Sequence, residues 1–515
     1  MSKNILGIEF GSTRIKAVMI DDNASILAEG WYEWENQFID GYWTYCLQDV
    51  WTGLQQCYKN LNQNYKDKYS EDISEISAIG ISAMMHGYLA FDKEDNILVP
   101  FRTWRNTTTE RAANELSEKF NFNVPQRWSI SHYYQAVLDG EEHIRNVDFL
   151  TTLAGYVHYK LTGKKVIGIG DASGMFPIKN NQYNQVMIEE FNEMISEKGI
   201  NINFEHLLPK ILIAGENAGN LTEEGAKLID PSGKLKSGII FCPPEGDAQT
   251  GMTATNCVMP KTANVSAGTS AFLMAVLEKE FENYYKEIDI VTTPVGNSVA
   301  MVHVNNFTSE MNAWAEVFEE FAETISVEIP KSRIYDVLFK KSLESDKDIG
   351  KIVGYNFLSG EHIVGIEKGR PMFFRLPEGK LTLANFMQMH IYSALGSLSM
   401  GMDILKKENI KIEMVCGHGG FFKTEFVGQN AMSAAVEAPV CVMDNAGEGG
   451  AWGIAILALY LYNSDVNFFD FLNELFKKSK RNTVVAKREE IEKFQCFMQM
   501  YKKGLKIEKQ ASEVI

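Results

Sequence analysis

The chain has 515 residues, 45% of them hydrophobic and 23% charged, an ordinary globular composition on a chain too long for one core, so two domains of about 250 residues each are expected. Fifty basic against 67 acidic residues leave a net charge of −17, which argues against nucleic acid or an anionic membrane as a partner, since both need a basic face. The 7 cysteines are scattered and never spaced CxxC, which suits reduced thiols in a cytoplasm better than a disulfide or zinc framework. Glu9 interrupts the first apolar run, so no signal peptide is expected, and the apolar helix candidate 451–461 is too short to span a bilayer.

The stretch ILGIEFGSTRIKAVMID, residues 5–21, reads as strand, glycine turn, strand. Gly11 lets the backbone approach a ligand closely, and successive N–H groups with the Ser12 and Thr13 hydroxyls can surround phosphate oxygens. Glu9 at the strand end would then hold a metal through water, because Mg²⁺ on nucleotide phosphates keeps much of its hydration shell. An ordinary hairpin opening a sheet is the competing reading. Residues 26–34 supply a third strand, and 47–65 read as a helix with Val50, Leu54, Cys57 and Leu61 on one stripe. The run ISAIGIS at 76–82 suits a buried strand. Met84-Met85-His86-Gly87 follows, then expected strands at 88–92 and 97–101 and a helix from about Thr107. Residues 132–163 read as mostly helical, closing on Gly163. A strand at 239–242 stops at Pro243-Pro244 before Glu245-Gly246-Asp247, and an acidic strand end on a glycine turn is where an α/β protein tends to put its chemistry. The domain boundary is expected near residue 255.

The second half repeats the design of the first. Residues 262–267, the turn Gly268-Thr269-Ser270 and residues 271–277 are again strand, glycine-hydroxyl turn, strand. Two such turns could close on one polyphosphate from opposite sides. Residues 296–308 continue the sheet, 314–321 read as helix, and 326–351 are charged and unassigned. A long helix at 383–406 carries Ile391, Leu395, Leu398 and Met402 on one stripe. A strand at 411–416 feeds Gly417-His418-Gly419-Gly420, a helix at 424–437 and a strand at 440–443 follow, and Glu448-Gly449-Gly450-Ala451 opens a small-residue helix that must pack closely. The end of the chain is expected to fray.

Several of these stretches line up in order with one family. IEFGSTRIKA, GISAMMHG, PPEGDAQTG, VSAGTS, CGHGGFFKTEFVGQNAMS and EGGAWGIAILA make the sequence resemble the FGGY carbohydrate kinases, from about residue 4 to about residue 460. The resemblance implies an α/β fold of two actin/hexokinase-like (ribonuclease H-like) domains with mixed sheets and an interdomain cleft: residues 1–255 with the sugar site and first phosphate turn, 256–480 with the ATP site, and 481–515 as a tail. It implies transfer of the ATP γ-phosphoryl group to a sugar or polyol hydroxyl, of the xylulose or ribulose type, with Mg²⁺ as metal. Asp247 is the implied general base. Chemistry agrees, since a hydroxyl is a weak nucleophile near neutral pH and a carboxylate in reach can take its proton; an acidic turn residue is otherwise a common turn former.

By the same resemblance Glu9 matches the family's metal-linked carboxylate, usually aspartate; Gly11, Ser12, Thr13 and Lys16 the first phosphate turn; Gly268, Thr269 and Ser270 the second; and Gly419, Gly420 and Lys423 the adenosine region. Lys16 could instead be a solvated strand residue. Met85, His86, Trp104, Asn106, Asp247 and Gln249 correspond to the sugar side, with Met84 in place of the glutamine of xylulose kinases. Trp104-Arg105-Asn106 stands where xylulose kinases carry Trp-Asn-Asp. Asn106 keeps an acceptor but loses the charge, which puts the sugar in doubt. His86 could be a structural histidine, Trp104 a stacking platform or a core filler, and the inserted Phe421 and Phe422 contacts to adenine or inward packing. Asp171 in GDASG reads as structural. A small-molecule sugar is the expected partner, with neither nucleic acid nor membrane, and a homodimer is a candidate assembly. The alternative is a nucleotide-binding sensor or ATPase of the same fold that phosphorylates no sugar.

Overall fold

The computed structural model describes residues 3–73, 75–443 and 449–514. The chain divides into two compact units, neither continuous in sequence: Met1–Met259 with Tyr284–Val299 and Glu448–Lys478, and Pro260–Asn283 with Ala300–Gly447 and Ser479–Ile515.

The first unit is built on a mixed sheet in the order Ile240–Phe241, Ala78–Ala83, Ile5–Phe10, Arg14–Ile20, Ile26–Glu33, with the short strand Glu245–Gly246 also pairing to Ala78–Ala83. Ile5–Phe10 is antiparallel to Arg14–Ile20 and parallel to Ala78–Ala83. Its Ile5, Leu6, Ile8 and Phe10 are fully buried, as both faces of a covered central strand require. Helix Leu47–Tyr69 buries Val50, Leu54, Cys57 and Leu61, the expected stripe. The helix reaches backbone contact with the sheet, where a Cβ on Gly30 would sit 2.3 Å from the Cys57 carbonyl. Helix Gly449–Tyr460 is apolar on every face and covers the same sheet. A Cβ on Gly7 would meet the Ala451 carbonyl at 2.0 Å, and one on Gly453 would meet the Thr250 carbonyl at 2.0 Å. The small residues of this helix thus serve close approach, as expected. Its expected first residue, Glu448, lies outside the described residues.

The second unit repeats this plan. Its strands run in the order Ser298–Val304, of which residues from Ala300 belong here, then Ala271–Val276, Thr262–Ala267, Met414–His418, Val440–Met443, Arg481–Val484. Thr262–Ala267 is antiparallel to its hairpin partner and parallel to Met414–His418, the pairing that Ile5–Phe10 makes in the first unit.

Four expectations change. The strand expected at 97–101 reduces to single bridges at Ile97 and Arg102. The region 132–163 is interrupted by Phe149–Thr151, which pairs with Leu89–Phe91. The end of the chain does not fray: Arg481–Val484 adds a strand, and Arg488–Val514 is a helix burying Phe494, Phe497, Met498, Tyr501 and Leu505, an apolar stripe hidden in sequence by the charges between. Cys416 and Cys441 are joined in a disulfide, so the expectation of reduced thiols fails for this pair. They are register partners on adjacent parallel strands, a proximity that spacing along the chain does not reveal. Among the described residues no helix is long and apolar enough to cross a membrane.

Candidate active site

The first glycine turn is held by its carbonyls. Gly11 N–H donates to Arg14 O at 2.9 Å, the Trp34 indole donates to Gly11 O at 2.7 Å, the Tyr45 hydroxyl to Ser12 O at 2.6 Å, and Trp34 N–H to Thr13 O at 3.1 Å. In a trans peptide the N–H points away from the preceding C=O. Trp34 and Tyr45 therefore turn the N–H groups of Ser12, Thr13 and Arg14 to the opposite side, as an array of donors for an anion. The two latching rings are buried and packed at 4.4 Å between centroids. Lys16 sits directly opposite Glu9 in the hairpin register, but its ammonium pairs with Glu29 at 2.8 Å.

Four carboxyl groups gather at the carboxyl ends of the parallel strands. Glu9 is half-buried and accepts N–H bonds from Gly450 and Ala451 at the start of helix Gly449–Tyr460. Burial and the neighbouring Asp247 charge nevertheless push it up to about 7. Asp247 opens helix Asp247–Ala254, keeps part of its surface exposed, and accepts at Oδ1 from Met85 N–H at 3.2 Å and Ala248 N–H at 3.0 Å. Burial raises it to about 6. Behind it the buried Glu245 accepts from Gly170 N–H at 3.3 Å and Asp171 N–H at 2.8 Å and is raised to about 8 by burial and then by Asp171. Asp171 accepts from the Thr152 hydroxyl at 2.6 Å and is raised to about 7 by burial, with Asp247 adding to it. Among the described residues no three His, Cys, Asp or Glu side chains form a metal cage, so a Mg²⁺ held at Glu9 would draw its remaining ligands from water and phosphate, which is how that ion usually sits.

Of the residues expected to contact a sugar, Met85 is buried and packs on Gly246, where a Cβ would lie 2.1 Å from Met85 Cγ. Met84 is buried too, its N–H on Phe10 O. His86 has a left-handed backbone, φ 68°, and its Nδ1 lies 3.3 Å from Gly174 O. Nδ1 must carry the proton to bond there, so Nε2 is an acceptor; burial and then the Arg127 charge hold the ring neutral, well below its usual pKa. Trp104 is partly buried against the core. Asn106 is buried with its amide taken by backbone: Oδ1 accepts from Trp43 N–H, and Nδ2 donates to Trp43 O and Thr103 O. Gln249 is fully buried and donates to Thr292 O. Asp247, Met85 and Glu9 are thus brought together within the first unit; the Asn106 amide is taken by backbone groups, and Gln249 donates from Nε2 while its buried Oε1 has no hydrogen-bond partner among the described residues.

In the second unit the turn Gly268-Thr269-Ser270 is latched in the manner of the first. The Thr308 hydroxyl donates to Gly268 O at 2.7 Å and Phe307 N–H to Thr269 O at 3.0 Å. The N–H groups of Thr269 and Ser270 are thereby turned the other way. Gly419 adjoins this turn: its φ is 105°, and a Cβ there would meet Ala267 O at 2.4 Å. Gly419, Gly420 and Lys423 are exposed. Phe421 and Phe422 are buried; Phe421 packs edge-on against Phe307, and Phe422 lies under Gly417, which answers the open question in favour of inward packing. Trp34, Tyr45, Glu245 and the 306–308 segment were not singled out from sequence. Only Glu245 carried a signal, an acid two positions before Asp247 at a strand end.

Residues 4–252 match the N-terminal domain, and residues 263–462 the C-terminal domain, of the FGGY family of carbohydrate kinases. The xylulose kinase of Haemophilus influenzae is 23% identical over 477 residues, covering 88% of this chain and 90% of its own length. Among solved structures, a ligand-bound xylulose kinase from Lactobacillus acidophilus superposes with a TM-score of 0.82 at 16% identity, over 99% of each chain. Plasmodium falciparum glycerol kinase with ADP gives 0.76 at 15% identity, over 98% of each. The fold is therefore the mixed α/β, actin/hexokinase-like one that these sugar kinases share.

Proposed function

Because the chain belongs to the FGGY family of carbohydrate kinases, and is on that ground a phosphotransferase acting on a sugar hydroxyl, we propose that it moves the γ-phosphoryl group of ATP to a ketopentose of the xylulose or ribulose type. The observation that carries this reading is Asp247. Its carboxylate stands at a helix N-terminus with Oδ1 held by two backbone N–H groups, and it retains partial exposure. A base so oriented keeps its other oxygen for an incoming hydroxyl. A pKa of about 6 lies close to working pH, which suits a group that must accept a proton in one step and release it afterwards.

The sugar oxygen attacks the γ-phosphorus as its proton passes to Asp247, the bond to the β–γ bridging oxygen breaks, and ADP leaves. His86 supplies a neutral acceptor at Nε2 for a second sugar hydroxyl, and the Met85 amide keeps the base oriented. Within the first unit, the amides of the Gly11-Ser12-Thr13 turn bind phosphate oxygens; the Gly268-Thr269-Ser270 turn of the second unit offers the same kind of donors. Glu9 would hold Mg²⁺, which supplies charge neutralisation on the phosphates. Both family domains together disfavour a sensor without sugar phosphorylation.

The test is ADP release coupled to a reporter enzyme over a panel of D-xylulose, ribulose, gluconate and glycerol. Stimulation by a ketopentose above the others supports the reading. Stimulation by gluconate or glycerol alone overturns the choice of acceptor, and ATP hydrolysis indifferent to every sugar overturns the kinase.

A further inference from the structure

The segment 305–308 ties three parts of the second unit together. Thr308 and Phe307 hold the carbonyls of Gly268 and Thr269, and the Phe307 ring packs at 5.0 Å on Phe421, beside the exposed Gly419-Gly420 turn. What holds the segment itself is a buried polar knot. Glu361, with no exposed surface, accepts at Oε2 from Asn305 N–H at 3.0 Å and from Asn306 N–H at 3.2 Å. The Asn306 side chain accepts at Oδ1 from Leu358 N–H and Ser359 N–H and donates from Nδ2 to Gly360 O and to Glu361 Oε2. Asn356 donates to Asn306 O at 2.7 Å and Phe307 O at 3.0 Å. A carboxylate buried at this depth is costly unless its hydrogen bonds are spent on something. Here those of Oε2 are spent on the backbone that aims the second phosphate turn.

From this juxtaposition we infer that Glu361 and Asn306 are positioning residues for the nucleotide: they fix segment 305–308, which in turn fixes the direction of the Thr269 and Ser270 amides and the floor of the Gly419-Gly420 turn. Neither residue touches the nucleotide. The inference rests on the reading of the 268–270 turn as a phosphate site. Two trans peptide planes carry the effect, because a carbonyl released from Thr308 or Phe307 can rotate and take the opposing N–H with it. Loss of the knot therefore weakens nucleotide handling and leaves sugar handling alone.

The test uses the full chain with ADP as probe, measured by titration calorimetry, beside steady-state KM for ATP and for the sugar. Glu361→Ala is expected to weaken ADP binding and raise the ATP KM about tenfold, with kcat lowered by about 10- to 100-fold through misaligned phosphate and the sugar KM unchanged. Glu361→Gln keeps an acceptor oxygen for Asn305 and Asn306 and is expected to restore most of the loss. Thr308→Val removes only the hydroxyl on Gly268 O and is expected to move the same two quantities by a few-fold, about what one lost hydrogen bond is worth. Unchanged ADP affinity in folded Glu361→Ala, or a sugar KM that shifts as far as the ATP KM, overturns the inference. If Glu361→Ala does not fold, Thr308→Val decides, and unaltered ADP affinity there overturns it. Wild-type protein that binds no ADP defeats the nucleotide reading itself, a result distinct from either.

Discussion

Glu9 feels the charge of Asp247: burial and then that neighbouring carboxylate raise Glu9 to about 7, while burial raises Asp247 itself to about 6. Proton abstraction needs Asp247 ionised. Sugar phosphorylation is therefore expected to rise with pH through an acidic limb between about pH 6 and 7 and to be lost below it. Asp247→Asn is expected to lower kcat by about 10²- to 10⁴-fold while ADP still binds, as read by a pH-rate profile and calorimetry. Full activity in Asp247→Asn would mean that another group takes the proton, whereas an acidic limb near pH 4 would mean that Asp247 ionises at its ordinary value.

Gly450 is a steric prediction. A Cβ there would lie 2.3 Å from Glu9 Oε1 and 2.7 Å from Thr250 Oγ1. Gly450→Ala must displace Glu9 from the N–H groups of Gly450 and Ala451, and phosphoryl transfer is expected to fall by about 10²-fold, the scale of a misplaced site group. Replacing a helical glycine by alanine would otherwise favour the helix by about 1 kcal/mol. Lost turnover with an almost unchanged melting temperature is thus the expected pattern, checked by thermal unfolding and kinetics on one preparation.

Tyr45 holds the first turn through one bond, from its hydroxyl to Ser12 O. Tyr45→Phe keeps the ring packed on Trp34 and leaves the carbonyl without its donor. A cost of about 1 kcal/mol is expected at the Thr13 amide, seen as an ATP KM raised several-fold with no change in the sugar KM. Equal change in both constants would show that the ring, and not the hydroxyl, sets the turn.

Asn106→Asp is the substitution that would bring the chain towards the family pattern, and it is expected to harm. The amide donates to Trp43 O and Thr103 O, and an aspartate would turn an acceptor onto both. The expected loss is about 1–3 kcal/mol of stability, measured by denaturant unfolding. If Asn106→Asp is as stable as wild type and improves turnover, Asn106 faces substrate and its bonds to Trp43 and Thr103 are dispensable.

What this sequence determined by itself is whatever depends on neighbours in the chain. The two glycine-hydroxyl turns, the strands beside them, the acid after Pro243-Pro244 and the stripes of helices 47–69 and 383–407 are readable because turn chemistry and side-chain periodicity act over a few residues. The repeated strand–turn–strand plan was legible for the same reason, and the matching sheet pairings of the two units bear it out. The tertiary structure decided which of those local features are coupled. Tyr45 reaches Ser12 and Thr308 reaches Gly268 across long stretches of chain. Asp247 acts on Glu9, Cys416 finds Cys441 on the next strand, and Asn106 turns its amide to Trp43. Each of these depends on burial, register and through-space charge, none of which is a property of a short window. Only the folded chain, by excluding water from these groups, gives an acid its raised pKa and obliges a carbonyl to find a particular donor.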